Sequence, residues 1–129
     1  MATEYDGSVE QVHRAFRNER YWLARLAGSG ADDATLDRLT VAEDGAIDVV
    51  TTQILRSDRL PGLVSQFHPG DLRIVREEKW QAIRDGQATG NVEGTIPSAP
   101  GSLTGATVLA PSGSGARLDV HTTVKVNTP

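Results

Sequence analysis

The sequence predicts an α+β domain in which two short helices precede a curved antiparallel sheet of about six further strands. Apolar residues recur at helical intervals as far as Leu26, whereas after Ala34 they alternate with polar residues at a period of two. Turn-forming stretches at residues 43–45 and 85–86 separate the alternating segments. Two helices followed by a continuous meander favour a sheet that wraps around an interior.

The helical part begins at Ser8, which has the capping-box spacing to Gln11. Asn18 can cap a second helix, and glycines at positions 28 and 30 end it. Its predicted apolar stripe consists of Trp22, Leu23 and Leu26. Both helices are therefore short, and each has one side to bury against the sheet.

The strands are predicted at residues 3–5, 36–42, 46–55, 72–83, 87–96, 103–110 and 117–126. A Pro-Ser-Gly-Ser-Gly stretch joins the last two as a hairpin, and the Asp32–Asp33 pair suits a loop or a helix cap. In the last strand, Leu118 and Val120 face one way and Asp119 and His121 the other. This alternation is typical of a sheet with one buried and one wet face.

Composition limits the function classes. The 129 residues suit a single domain over residues 1–129, with a formal net charge of −4 and no cysteine. Nucleic-acid binding is not expected, because the chain has no basic stripe. The N-terminus does not resemble a signal peptide, no apolar run is long enough to span a membrane, and the predicted location is cytoplasmic. No cofactor is expected, and no two histidines have a metal-site spacing.

Residues 60–72 place Leu63, Val64 and Phe67 between two Pro-Gly-type breaks. Pro61 and Pro69 cannot donate to a sheet ladder, so this segment is expected to leave the sheet. Two interpretations remain open: an apolar plug at the end of the core, or a flap over a cavity.

The densest charge run extends from Arg76 to Lys79. By alternation, Arg76 and Glu78 share a face with Ile74 and Trp80. If that face is concave, the two charges form a buried pair that could hold the polar head of a ligand. If this half of the strand has reached solvent, the charges are simply hydrated.

The chain also resembles a known family. The similarity is carried by residues 21–26, the Thr-Thr-Gln run at 51–53, the 60–72 stretch and the Leu-Ala-Pro-Ser-Gly-Ser-Gly-Ala-Arg-Leu hairpin at 109–118. These motifs resemble an actinobacterial family of uncharacterised domains in the polyketide cyclase and START-like superfamily, also called SRPBCC or helix-grip. The resemblance implies a seven-stranded sheet that grips a long C-terminal helix around an apolar cavity. This chain stops where that helix is expected, so the domain is predicted to be truncated and to form a homodimer through the open groove.

The leading functional prediction is non-enzymatic binding or transport of a small hydrophobic or amphipathic ligand, lipid-like or polyketide-like. The predicted ligand-binding residues are Leu63, Phe67, Ile74, Arg76 and Trp80, with no catalytic residue and no metal ligand. One alternative is a cyclase-type or hydrolase-type enzyme that uses His68 with Asp71, or Arg76 with Glu78. Another is a protein–protein interaction module in which a partner helix occupies the groove.

Overall fold

The computed structural model describes residues 2–56, 70–97 and 101–126. Within these ranges the chain forms β1 (Ala2–Tyr5), α1 (Val9–Ala15), α2 (Glu19–Ala27), β2 (Asp33–Val41), β3 (Ile47–Leu55), β4 (Leu72–Trp80), β5 (Ala88–Thr95), β6 (Gly101–Ser112) and β7 (Gly115–Val126). The strands form one curled antiparallel sheet in the order β1-β7-β6-β5-β4-β3-β2. The α+β prediction with two helices before a meander is confirmed.

The two helices lie on one face of the sheet because of this order. β1 and β2 are the opposite edges, so the α1–α2 segment that joins them must cross one face. We call this face the inner face. Residues paired across antiparallel strands share a face, and the pairing of β3 with β4 puts Ile47, Val49 and Thr51 beside Trp80, Glu78 and Arg76.

Sequence signals for the helices are confirmed at the atomic level. The Ser8 side chain accepts from the Gln11 amide at 3.2 Å, while the Gln11 side chain accepts from the Ser8 amide at 2.8 Å. Asn18 caps α2 by accepting from the Arg20 amide at 3.0 Å. Each interaction satisfies an amide that the first turn of a helix leaves without a partner.

The core fills one half of the inner face. Phe16 and Trp22, from the helical segment, pack on Ile47, Trp80 and Leu109, all nearly inaccessible to solvent. The Phe16 ring lies 5.1 Å from the Trp80 ring, and the Trp22 indole donates to the Phe16 carbonyl at 2.7 Å. Burying each such side chain contributes about 1.5–3 kcal/mol, so this cluster holds the helices on the sheet.

His13, on α1, belongs to this core although its neighbours in the sequence are polar. Its side chain is fully buried, and Nε2 lies 3.0 Å from the carbonyl oxygen of Gln81. Burial lowers the pKa of His13, and the nearby Arg17 guanidinium lowers it further, although the Gln81 hydrogen bond opposes both. The neutral ring therefore donates to Gln81 and ties α1 to the end of β4.

Three predicted boundaries were wrong. β2 begins at Asp33, so this residue is in the sheet and not in a loop or cap. β4 ends at Trp80, three residues earlier than predicted; the Gln81 amide still donates to the Thr89 carbonyl at 2.8 Å, while the Gln81 carbonyl accepts from His13. The last hairpin closes at Ser112 and Gly115, with Gly113 at φ +57°, so its turn is shorter than predicted. The predicted flap lies largely at 57–69, outside the described residues.

Candidate functional site

A half-open cavity lies between α2 and the adjacent strands of the sheet. Its volume is about 420 Å³, which is at the lower end of the range for small-molecule sites. We call it the α2 cavity. Residues of α2 and the turn after it line one wall, and inner-face residues of β3 and β4 line the other: Trp22, Arg25, Leu26, Gly28, Ser29, Val49, Thr51, Gln53, Arg76 and Glu78.

Glu78 is the central charge of this cavity. Its position on β4 is opposite Val49 on β3 and Val92 on β5, and the residue is only 2% exposed. Arg25 Nη1 donates to Glu78 Oε2 at 3.1 Å, and Arg76 Nη2 lies 3.8 Å from Oε1. Of the predicted buried pair, the structure buries Glu78 but leaves the Arg76 side chain 36% exposed, and the close partner of Glu78 is Arg25.

Arg25 reaches Glu78 from the second helix. Its guanidinium carbon lies 5.1 Å from the centre of the Trp22 ring, a cation–π contact that orients the side chain over the sheet. The Arg25 side chain is 34% exposed, so the pair is only partly shielded from water. This contact links α2 to β4 on the side of the core that opens into the cavity.

Arg76 is less fully paired. Burial lowers the pKa of Arg76 and so does the charge on Arg25, whereas Glu78 raises it. Its side chain is 36% exposed. An arginine remains protonated in such surroundings, so the described residues that line the cavity carry two positive charges and one negative charge.

Among the residues that the structure describes, the other polar side chains of the cavity wall are neutral. Thr51 and Gln53 line it from β3, and the hydroxyl of Ser29 donates to the Leu26 carbonyl at 2.7 Å. Tyr21 lies close enough to Arg25 and Glu78 for their charges to act on it. Burial raises the pKa of Tyr21, and its hydroxyl oxygen lies 3.4 Å from that of Tyr5. The phenol therefore stays protonated at neutral pH.

The inner face continues from Arg76 into an apolar region at the far end of the sheet. Arg76 pairs with Gly94, Gly94 with Leu103, and Leu103 with Val124, so all four positions share this face. A second cavity of about 310 Å³ is lined here almost wholly by apolar atoms. We call it the apolar end, lined by Ile74, Gly94, Thr95, Ile96, Ser102, Leu103 and Val124.

The predicted site residues fall in three places. Arg76 lines the α2 cavity and Ile74 the apolar end. Trp80 is 1% exposed and packs against Phe16 in the core. Leu63 and Phe67 lie outside the described residues, as does His68 of the enzymatic alternative.

Arg25 was not predicted as a site residue. Its contact with Glu78 joins residues 53 positions apart, and it depends on how α2 crosses the sheet. The available signal was weak: an arginine three positions after Trp22 on a helix whose apolar stripe is short.

No group of three or more histidine, aspartate and glutamate side chains is arranged to hold a metal ion in ranges 2–56, 70–97 and 101–126. Over the same ranges, no helix has the length and apolar character to cross a membrane.

Comparison with known proteins identifies the family. The model of a family described as "Protein of unknown function (DUF2505)" matches residues 1–129, and the chain belongs to this family. It is 46% identical over 135 residues to an uncharacterized protein of Mycobacterium bovis, covering 100% of this chain and 78% of that relative. An uncharacterized protein of Mycobacterium tuberculosis strain H37Rv is similar to the same extent.

Proposed function

We propose that this chain, as a member of a family of unknown function, binds a small amphipathic molecule on the inner face of its sheet. The observation that carries the proposal is the α2 cavity, where charged side chains and apolar walls meet in one half-open space of about 420 Å³. Ligand sites commonly combine apolar walls with a few polar groups that orient the ligand. Assignment to the helix-grip superfamily is part of the same proposal and is supported by the curled antiparallel sheet with helices on one face.

A binding role is favoured over an enzymatic one by the state of the charged groups. Glu78 accepts from Arg25 at 3.1 Å and is almost inaccessible to solvent, so one of its oxygens is already engaged within the protein. His13 is fully buried in the core and already hydrogen-bonded to Gln81. His13 is therefore not placed to exchange a proton with a molecule in the α2 cavity, and Glu78, which lines the cavity, is already paired with Arg25.

The test is direct. Purified protein is extracted with organic solvent for mass spectrometry, and the stripped protein is titrated with a panel of fatty acids and aromatic polyketides. We expect a co-purified molecule or saturable binding with micromolar affinity. If neither is found, the proposal is wrong.

A matched pair of variants locates the binding. Gln53 lines the α2 cavity, whereas the next residue, Ile54, points to the opposite face of β3. Gln53→Trp fills the cavity and is expected to weaken binding about ten-fold or more. Ile54→Trp adds a similar bulk on the outer face and should leave binding unchanged. Equal effects of the two variants would exclude the α2 cavity as the site.

Self-association through the apolar end is a second candidate, because Val124 is 71% exposed and Leu103 38% exposed there. Exposed apolar side chains that cluster often mark an interface. Val124→Asp should then convert a dimer to a monomer in sedimentation velocity, while Thr123→Asp on the other face should not. A wild-type protein that sediments as a monomer across the concentration range would remove this candidate.

A further inference from the structure

The charges of the described residues that line the α2 cavity do not cancel. Arg25 and Arg76 contribute two positive charges and Glu78 one negative charge, so the three together carry a net charge of +1. We call these residues the arginine–glutamate cluster. The only other ionisable group that acts on Arg76 in the described part of the chain is Tyr21, which is protonated and neutral. A half-enclosed site with a net positive charge attracts an anion.

The excess charge is concentrated on Arg76. Glu78 Oε2 is engaged by Arg25 at 3.1 Å, whereas Arg76 lies 3.8 Å from the other oxygen, beyond hydrogen-bond distance. Among the residues that the structure describes, none accepts a hydrogen bond from the Arg76 guanidinium. By contrast, Arg38 on the outer face donates to Asp48 at 3.0 Å and to Glu77 at 2.9 Å.

A guanidinium presents a planar fork of N–H donors that matches the two oxygens of a carboxylate. Arg76 keeps about a third of its side chain accessible from the cavity side. The carboxylate of Glu78 does not repel an incoming anion strongly, because Arg25 neutralises it at 3.1 Å. The donors available at Arg76 therefore suit a carboxylate better than a neutral hydroxyl or a cation.

The apolar end supplies the other half of an amphiphile site. Gly94, Leu103 and Val124 continue the inner face outward from Arg76 over three successive strands. At a spacing of about 4.8 Å between strands, this path is roughly 14 Å long. It is comparable in length to an extended medium-length alkyl chain, and Gly94, paired with Arg76, places no side chain on this path.

We infer that the inner face binds a carboxylate-bearing amphiphile, with the carboxylate at Arg76 and the apolar chain along the apolar end. This inference rests on the proposed function and adds the chemical class and the orientation of the ligand.

The experiment compares three probes with similar alkyl chains and different heads: decanoate, decanol and decyltrimethylammonium. Each is titrated into the 129-residue chain by calorimetry, with intrinsic tryptophan fluorescence as a second readout, since Trp22, one of the two tryptophans, lines the cavity. The variants are Arg76→Gln, Arg76→Lys and Arg73→Gln. Arg73 is the matched control, because it is an exposed arginine of the same strand on the outer face.

We expect decanoate to bind about ten-fold or more tightly than decanol, and the cation to bind no better than decanol. Arg76→Gln should lose about ten-fold for decanoate and leave decanol binding unchanged. Arg76→Lys should keep the charge but lose the two-point contact and fall in between. Arg73→Gln should behave like wild type, which excludes a general effect of net charge.

The outcomes separate the inference from the proposed function. Equal affinities for decanoate and decanol, or a preference for the cation, would overturn the inference while ligand binding itself stands. This comparison uses the wild-type chain, so it does not depend on the folding of any variant. Loss of decanoate binding in Arg73→Gln equal to that in Arg76→Gln would also overturn it. No saturable binding of any probe would overturn both.

Discussion

Glu78→Gln tests whether the arginine–glutamate cluster holds α2 on the sheet. The substitution preserves shape but removes the negative charge between two guanidinium groups at 3.1 and 3.8 Å. Removing one partner of a fully buried pair costs about 3–5 kcal/mol. Here both arginines are about one-third exposed, and the amide oxygen can still accept from Arg25. We therefore expect the free energy of unfolding to fall by about 2 kcal/mol.

The assay is urea unfolding followed by far-ultraviolet circular dichroism. With a typical dependence of 1–3 kcal/mol per molar urea, the midpoint should decrease by about 1 M. Glu77→Gln is the control, because Glu77 is on the outer face, its side chain is 33% exposed and it pairs with Arg38 at 2.9 Å. That pair is worth less than about 1 kcal/mol. Equal losses in the two variants would refute the reasoning that burial makes Glu78 the more important carboxylate.

Three further results are expected. Burial lowers the pKa of His13 from its ordinary 6.5, so the unfolded chain binds a proton below pH 6.5 that the folded chain does not. The contribution of neutral His13 to the free energy of unfolding is therefore complete above pH 6.5. Below pH 6.5 the free energy of unfolding should decrease by up to about 1.4 kcal/mol per pH unit. A His13→Gln variant whose stability has the same pH dependence would contradict this. Gly90→Ala would put Cβ 2.2 Å from the Lys79 carbonyl oxygen, whereas a Cβ at Gly94 would have its nearest atom 3.7 Å away. In calorimetric melting, Gly90→Ala should therefore lower the free energy of unfolding by about 1–3 kcal/mol, and Gly94→Ala should change it little. Equal losses in the two variants would contradict the close approach at Gly90. Ser8→Ala removes the capping box of α1 and should lower the free energy of unfolding by about 1 kcal/mol, so an unchanged urea midpoint would show that the cap contributes nothing.

The order and type of the elements could be predicted because their signals are local. The capping box at Ser8, the Asn18 cap and the turn at Gly45 each depend on a few neighbouring residues, and all three are found in the structure. Boundaries were harder where tertiary contacts decide them. Just after the end of β4, the Gln81 carbonyl accepts from His13, 68 positions away, and no local pattern contains this contact.

The site could be predicted only in part, for the same reason. Alternation along β4 correctly placed Arg76 and Glu78 on one face, but alternation cannot tell which half of a face the helices cover. The contact between Arg25 and Glu78 could not be predicted in this way. Arg25 lies on α2, and it reaches Glu78 only because the α1–α2 segment crosses the sheet from one edge to the other. Topology, and not periodicity, determines which charges meet.

The position of the cluster is itself an argument for a ligand. Immediately next to Glu78 on the same face lies Trp80, and beside that Ile47, so an apolar side chain at position 78 would extend the existing core. Replacing a buried ion pair with apolar residues of similar volume is often neutral or stabilising. Stability alone therefore does not explain why a carboxylate and two arginines lie where the core on the inner face ends and the α2 cavity begins. A polar group on a bound molecule gives such a reason, because the cluster then fixes the molecule's head at the edge of the core while the apolar end receives its chain.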